Sequence, residues 1–548
     1  MDKLSGGQSV VKVLEKEGVK KAFCVPGESY LGVIDSLYNH PSIQLISTRH
    51  EGGASFMAEA YAKASGEVGV CMATRGPGAT NLSIGLHTAM QDSTPVVALI
   101  GQVERPFKGK EAFQEIDFAA YFSHLCKWAV EIDDAERIPE ILHRAFYIAR
   151  SGRPGPVVVS LPHDMLEDTV EYIEGEVIEN TVPEATEEDV HKILKKLQEA
   201  ERPFIIAGGG VIATHAQDLL ASFAEKLHIP VVSAFRRFNI LSNVHSHYAG
   251  WLGFGMSKQL LEEIQNADVI LILGSRLSQV STQDYSLISR STKLIQIDIS
   301  ENSIGKAYPV STGVISDVKR FLEKSLQFLN SDSPKSKQER VDEIHSLYVK
   351  DSTPPNPAKN SSYAEMNSII ADFANALPNK SIVTSDAGNF YGWVAKYFRF
   401  TEQKQYIGPT SGAMGYGLPS AIGAKIAQPN YTVVSFSGDG GFMMTMQELE
   451  TAVRKNVKVI AIVVNNNMYG TIRAHQENHF PNRVIGTPLT NPNFAEIAKQ
   501  FGCEGEVVTS NEGFLPVFNR ALQSDKPFVI EIQTDPSVLS AQQAAQNE

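Results

Sequence analysis

The stretch YTVVSFSGDGGFMMTMQELETAVRKNVKVIAIVVNNNMYGT (431–471) decides the fold. It reads as a β-branched strand, a glycine-rich turn, a helical stretch and a second strand, a βαβ unit whose two strands run parallel. Gly438, Asp439, Gly440 and Gly441 then stand at the carboxyl end of the first strand, and Asn465, Asn466 and Asn467 at that of the second. Open α/β sheets bind their ligands at that edge. An acid and an amide displayed there supply hard oxygen ligands of the kind Mg2+ takes when it is shared with a phosphorylated group. Glycines beside Asp439 let the backbone approach a diphosphate without a Cβ in the way and turn N–H groups toward it. The plain alternative is a strand–turn–helix connection with polar turn residues and no ligand.

Working outward, this unit belongs to a block over 363–548, with further strands SIVTSDAG and PFVIEIQT. A first block over 1–180 repeats the alternation with IQLIS (43–47), VGVCMAT (68–74), PVVALIG (95–101) and PVVVSLP (156–162). Within it Ala54, Met57, Ala58 and Tyr61 recur at i, i+3, i+4 and i+7, so a helix is expected to begin close to Glu51. A middle block over 188–330 carries FIIAGGG, PVVSAF, DVILILGSR and KLIQIDIS. Polar, Pro- and Ser-rich residues make 331–362 the expected linker. The expected architecture is therefore α/β: three consecutive domains, each with a central, mostly parallel sheet flanked by helices. The tail SVLSAQQAAQNE lacks apolar periodicity and is expected either to fray or to fold over something.

Composition narrows the class. With 548 residues, 43% hydrophobic and 20% charged, and no apolar run of bilayer length, the chain reads as a multidomain globular protein. Its net charge of −13, with Lys and Arg scattered, argues against a nucleic-acid backbone as partner. Four cysteines without a CxxC pair exclude a disulfide framework and a structural zinc site, and the N-terminus lacks the pattern of a secretory signal. The cytoplasm is the expected compartment.

The 431–471 segment resembles the thiamine-diphosphate binding motif, GDG followed by NN, with Asn466 standing 27 residues after Asp439. The resemblance implies Asp439, the Asn466 side chain and the Met468 carbonyl as Mg2+ ligands. It further implies cofactor contacts from Gly388, Asn389, Gly412, Met414, Gly438, Gly440, Gly441, Tyr469 and Gly470, with Met414, in TSGAMGYGLPSAIGAK (410–425), as the fulcrum beneath a bent cofactor. RHEGGASFMAEAYA (49–62) is similar to the family's pyrimidine-side motif, which makes Glu51 the acid that exchanges a proton with the aminopyrimidine. A lone Glu at a helix start would otherwise be read as favoured by the macrodipole.

Nearly the whole chain resembles the acetolactate synthase (acetohydroxyacid synthase) branch. RGPGATNLSIGLHTAMQDSTPVVALIGQV (75–103), AFQEID (112–117) and CKWAVEI (126–132) carry that likeness. It implies that Gln114 contacts the cofactor-bound substrate, that Phe113 shapes the acceptor pocket, and that Lys127 serves the anionic end of a 2-oxo acid or orients its loop. The implied reaction is thiamine-diphosphate- and Mg2+-dependent decarboxylation of a 2-oxo acid, pyruvate, with ligation to a second carbonyl. The alternatives are a simple decarboxylase, or a C–C lyase or carboligase for another substrate. A homodimer or homotetramer is implied, because the two cofactor half-sites of this family come from different subunits.

Three positions depart from the branch. His475 stands where its biosynthetic members carry a Trp, and Glu28 in VPGESYL where the closest synthases have a small residue. Both put the acceptor in question. In the middle block the flavin-binding GxRFDDR stretch reads GSRLSQVSTQDY (274–285), where only Gly274 and Arg276 persist. FAD, which the resemblance would bring, is for that reason in doubt, and the expected middle block is a structural domain.

Overall fold

The structure, a computed structural model, describes residues 3–329, 335–355 and 363–546. Among these, three six-stranded sheets are each wholly parallel. The first contains β1 (Lys21–Cys24), β2 (Gln44–Ser47), β3 (Gly69–Thr74), β4 (Val96–Gln102), β5 (Trp128–Glu131) and β6 (Pro156–Pro162), in the order β2-β1-β3-β4-β6-β5. Every residue of β4 and β6 is buried, as a sheet covered by helices on both faces requires. Helix α1 (Glu51–Ser65) follows β2 and α2 (Arg75–Asp92) follows β3.

The middle sheet contains β7 (Phe204–Ala207), β8 (Val231–Ser233), β9 (Tyr248–Trp251), β10 (Val269–Leu273), β11 (Lys293–Asp298) and β12 (Thr312–Ile315). Its order, β9-β8-β7-β10-β11-β12, is that of a doubly wound dinucleotide-binding fold, with the switch point between β7 and β10. The stretch 331–362 is more than connecting chain. Lys335–Asp351 forms helix α3, because Val341, Ile344 and Tyr348 share one face and are buried. The Tyr348 ring meets that of Tyr248 edge-on, and His345 Nδ1 lies 2.9 Å from the Tyr248 carbonyl. The rest of that expected linker, 331–334 and 356–362, lies outside the described residues.

The third sheet contains β13 (Ser381–Ser385), β14 (Lys404–Ile407), β15 (Thr432–Gly438), β16 (Ile460–Asn465), β17 (Glu504–Val508) and β18 (Phe528–Gln533). Its order, β14-β13-β15-β16-β18-β17, repeats that of the first sheet strand for strand. Its helices include α4 (Gly417–Ala427), α5 (Asp439–Thr445), α6 (Glu448–Arg454), α7 (Gly470–His479) and α8 (Ala541–Gln546).

First and third domains meet where α1 packs on α4. Small residues make the approach close: a Cβ on Gly423 would collide with the Met57 carbonyl. Phe56 and Met57 share one continuous core with Tyr416, Leu418 and Ile422. A buried polar node ties in the middle domain. Asp92, at the end of α2, accepts from Lys63 Nζ at 2.6 Å, from Arg237 of the middle domain at 2.8 Å and from the Thr410 N–H of the third at 3.0 Å. Burial alone would raise its pKa, but the two cations hold it well below the usual carboxylate range. No helix among the described residues is long and apolar enough to cross a membrane.

Candidate active site

A cavity of about 470 Å³ opens at the carboxyl edge of the third sheet. All twelve residues expected to contact a cofactor there line it: Gly388, Asn389, Gly412, Met414, Gly438, Asp439, Gly440, Gly441, Asn466, Met468, Tyr469 and Gly470. They come from loops after β13, β15 and β16 and from the turn before α4. Close packing dictates the glycines. A Cβ on Gly440 would stand 2.5 Å from the Tyr469 ring, and one on Gly441 would collide with the Asp386 carboxylate. Asp386 is itself fully buried, accepts from the Gly417 N–H, and is pushed up to about 6 by burial.

Asp439 is the first residue of α5 and is buried. Burial raises its pKa, against the pull of hydrogen bonds from Asn491 and from backbone N–H groups. A buried carboxylate of this kind is short of a cation. Among the described residues no group of three or more His, Cys, Asp or Glu could hold a metal; at this cavity one carboxylate, Asp439, stands with the neutral donors Asn466 and Met468. That donor chemistry fits Mg2+ completed by a diphosphate.

The three consecutive asparagines divide the work. Asn465 turns inward and donates to Glu531 at 2.8 Å, a structural bond, while Asn466 lines the cavity. The 466–470 turn is pinned from outside, Tyr469 N–H to the Thr487 carbonyl at 2.9 Å and Leu489 N–H to the Asn467 carbonyl at 2.8 Å. Asn491, not anticipated from the sequence, donates to Asp439 Oδ2 at 2.6 Å and to Asn465 Oδ1 at 3.0 Å, fixing acid and turn together. Its only sequence signal is a TNPNF turn, which many loops share.

The tail folds over this cavity. Thr534, Asp535, Val538 and Leu539 line it, and the Leu539 carbonyl accepts from Asn389 Nδ2 at 2.9 Å. Of the two fates open to it in the sequence, the described part takes the second.

Glu51 lies elsewhere, at the carboxyl edge of the first sheet, and is not among the residues lining the cavity. It opens α1 after His50, whose Nδ1 accepts the Gly52 N–H at 3.0 Å. Its Oε2 accepts from Asn81 at 2.9 Å, and Oε1 faces Gly78. Gln114 joins this edge through its carbonyl, which accepts the Gly76 N–H at 2.9 Å, and Phe113 beside it is 74% exposed. The buried Glu448 of α6 accepts from the Arg49 and His50 N–H groups at 3.1 and 3.0 Å, anchoring the start of α1 to the third domain.

Two residues singled out in the sequence stand away from the cavity. Lys127 reaches neither the cavity nor Glu51. Its ammonium donates to the carbonyls of Ile148 and, at 2.7 Å, Ser151, which close the helix Ile138–Arg150. Burial, aided by the Arg153 charge, lowers it to about 8. It caps a helix that needs acceptors satisfied at its carboxyl end. His475 is exposed on α7, its ring 5.9 Å from that of His479, and does not line the cavity.

A second cavity, of about 1020 Å³, lies at the switch point of the middle sheet. The Gly208–Gly210 turn after β7, the Gly274–Arg276 turn after β10 and Asp298 at the end of β11 border it. Arg153, Arg237 and Arg276 face it as well. Burial and the Arg276 charge push Arg153 down to about 10, against the pull of Asp298 and Asp92.

Comparison with known proteins agrees with this geometry. Residues 4–121 match the thiamine pyrophosphate enzyme N-terminal TPP binding domain, 190–325 its central domain, and 386–532 its C-terminal TPP binding domain. The chain is 33% identical over 551 residues to the probable acetolactate synthase large subunit of Methanocaldococcus jannaschii, covering 97% of this chain and 92% of that protein. It is 33% identical over 540 residues to the acetolactate synthase isozyme 2 large subunit of Escherichia coli, covering 97% and 96%. With the large subunit of Lactococcus lactis the identity is 34% over 543 residues, covering 96% and 92%.

Proposed function

Because the chain belongs to the thiamine pyrophosphate enzyme family, we propose that it decarboxylates a 2-oxo acid, pyruvate, and ligates the remaining acyl unit to a second carbonyl, as the name of its acetolactate synthase relatives describes. One observation carries the reading: a dozen residues from separate segments converge on a single cavity, while the acid the chemistry needs stands outside it. A second copy of the chain, bringing its Glu51 edge to this cavity, completes the site and makes a homodimer the smallest competent unit. Exposed apolar residues near both halves, Ile84 and Phe113 on the first domain and Met443 and Met444 on the third, suit such a contact.

Thiamine diphosphate, when bound, supplies the nucleophilic carbon and the electron sink that loss of CO2 requires. The chain does the rest. Asp439, Asn466 and the Met468 carbonyl would hold Mg2+. The N–H groups opening α5 and α7, cleared by Gly440 and Gly470, take the diphosphate. Met414, which lines the cavity, would support the cofactor. Glu51 of a second copy would hold and exchange a proton at the aminopyrimidine nitrogen, a role worth roughly 10²–10⁴-fold. Phe390, Trp393, Val538 and Leu539 keep water out, which favours loss of a charged carboxylate.

The residues at the second cavity fit the adenosine diphosphate half of FAD: glycine turns at a switch point, an acid at the end of the next strand, and arginines for phosphate. FAD belongs there on this reading, and flavin absorbance of the purified protein tests it. The four cysteines are buried free thiols, which suits the reducing cytoplasm.

Glu51→Gln tests the central claim. Turnover of pyruvate should fall at least a hundredfold, while Mg2+-dependent binding of thiamine diphosphate, measured by calorimetry, persists. Near-full turnover in the variant overturns the assignment.

A further inference from the structure

We propose that Glu28 selects the acceptor, disfavouring a second anionic 2-oxo acid and favouring a neutral carbonyl compound that carries a hydrogen-bond donor, such as a hydroxyaldehyde. This rests on the carboligase reading above and names the substrate class of the same site.

Glu28 stands in the loop leaving β1, at the same sheet edge as Glu51 and Gln114. The loop is rigid. Ser29 and Thr74 share a hydroxyl–hydroxyl hydrogen bond, the Tyr30 hydroxyl donates to the Val25 carbonyl at 2.6 Å, and a Cβ on Gly27 would collide with Thr74. From this fixed base the Glu28 side chain projects 71% exposed. Only its Oε1 is engaged, by Arg75 Nη1 at 3.2 Å; among the described residues Oε2 has no protein partner.

Arg75 is the second, independent observation. It opens α2 with φ +42°, a left-handed conformation that a non-glycine residue adopts at a cost, and it is 7% exposed. Its Nε is buried with no hydrogen-bond partner among the described residues. A strained, under-satisfied cation that makes one long contact to a solvent-facing carboxylate is a poor device for stability, since exposed pairs contribute little. It is a good device for holding a negative charge at one place on the edge of a site.

The reaction makes that charge selective. The donor loses its carboxylate as CO2 when the bond between its carbonyl and carboxyl carbons breaks. A new bond forms to the acceptor's carbonyl carbon, and the acceptor's oxygen takes one proton; no oxidant is consumed. An acceptor 2-oxo acid keeps its carboxylate throughout and would bring it to an edge already carrying Glu51 and Glu28, where like charges repel. A hydroxyl on a neutral acceptor instead donates to the free Glu28 Oε2.

The test uses the full-length protein loaded with thiamine diphosphate and Mg2+, as wild type, Glu28→Gln and Glu28→Ala. Mixtures of pyruvate and glycolaldehyde are analysed for the ratio of acetolactate to the glycolaldehyde-derived ketone. Calorimetry measures binding of lactate, an unreactive anion. Wild type should favour glycolaldehyde; both variants should shift the product ratio at least tenfold toward acetolactate and bind lactate severalfold more tightly. A product ratio and a lactate affinity within twofold of wild type in both variants overturn the proposal while leaving carboligation standing. A wild type that consumes no 2-oxo acid and exchanges no C2 hydrogen of bound thiamine diphosphate overturns the carboligase reading first and the proposal with it.

Discussion

Replacing Glu448 by Gln should change how stability depends on pH. Glu448 is fully buried beside Gly53 and receives the Arg49 and His50 N–H groups and, at 2.6 Å, the Thr451 hydroxyl. Burial, aided by Glu450, nonetheless raises its pKa from 4.5 to about 7. The folded protein therefore holds a proton that the unfolded chain has released between those values. Its contribution is fully present below about pH 4.5, declines as pH rises to about 7, and is constant above. A gap of that size at 1.36 kcal/mol per unit corresponds to about 3 kcal/mol. Gln is nearly isosteric with the protonated acid and cannot ionise. Wild type and variant should match near pH 5, and the variant should be the more stable by up to about 3 kcal/mol at pH 8. Urea unfolding of the cofactor-free protein, followed by tryptophan fluorescence from pH 5 to 8, reads this directly. Parallel midpoints across that range would refute the reasoning.

Two further substitutions separate structural from chemical roles. Lys127→Met removes the ammonium from the two carbonyls closing its helix; stability should fall by about 1–3 kcal/mol, while kcat stays within about threefold of wild type. A loss of kcat beyond a hundredfold would return Lys127 to the chemistry. Gly440→Ala forces a methyl to within 2.5 Å of the Tyr469 ring, so calorimetric affinity for thiamine diphosphate should drop tenfold or more, with the thermal midpoint of the cofactor-free protein lowered by only a few degrees.

The sequence was readable where physical signals were dense. The strands it displayed clearly, such as Val96–Gln102 and Pro156–Pro162, are interior strands buried on both faces, which keeps them almost continuously apolar. The strands it hid are Lys21–Cys24 and the sheet edges at Trp128–Glu131, Tyr248–Trp251, Thr312–Ile315, Lys404–Ile407 and Glu504–Val508. Most of these are short edges with one side uncovered, and their mixed composition follows from that. The glycine-rich turns betrayed the cavity because a close backbone approach restricts residue type. Asn491, the tail residues and Glu448 act through contacts distant in sequence, and Asn, Leu and Glu at such places carry no local pattern. Lys127 shows what a motif likeness leaves open: it names the residue at a position, while the contacts of its ammonium with the Ile148 and Ser151 carbonyls depend on a helix more than twenty residues away.

The junction at Asp92 has a consequence for cooperativity. By topology the three sheets are separate, although hydrophobic clusters run between the first and third and between the middle and third. One desolvated carboxylate, however, is satisfied only while Lys63, Arg237 and Thr410 all remain in place, and each belongs to or adjoins a different unit. Opening the middle or the third unit takes one of these partners from a carboxylate buried in the first. Their stabilities are thereby coupled, and a chain built from three domains is driven to lose its structure as one.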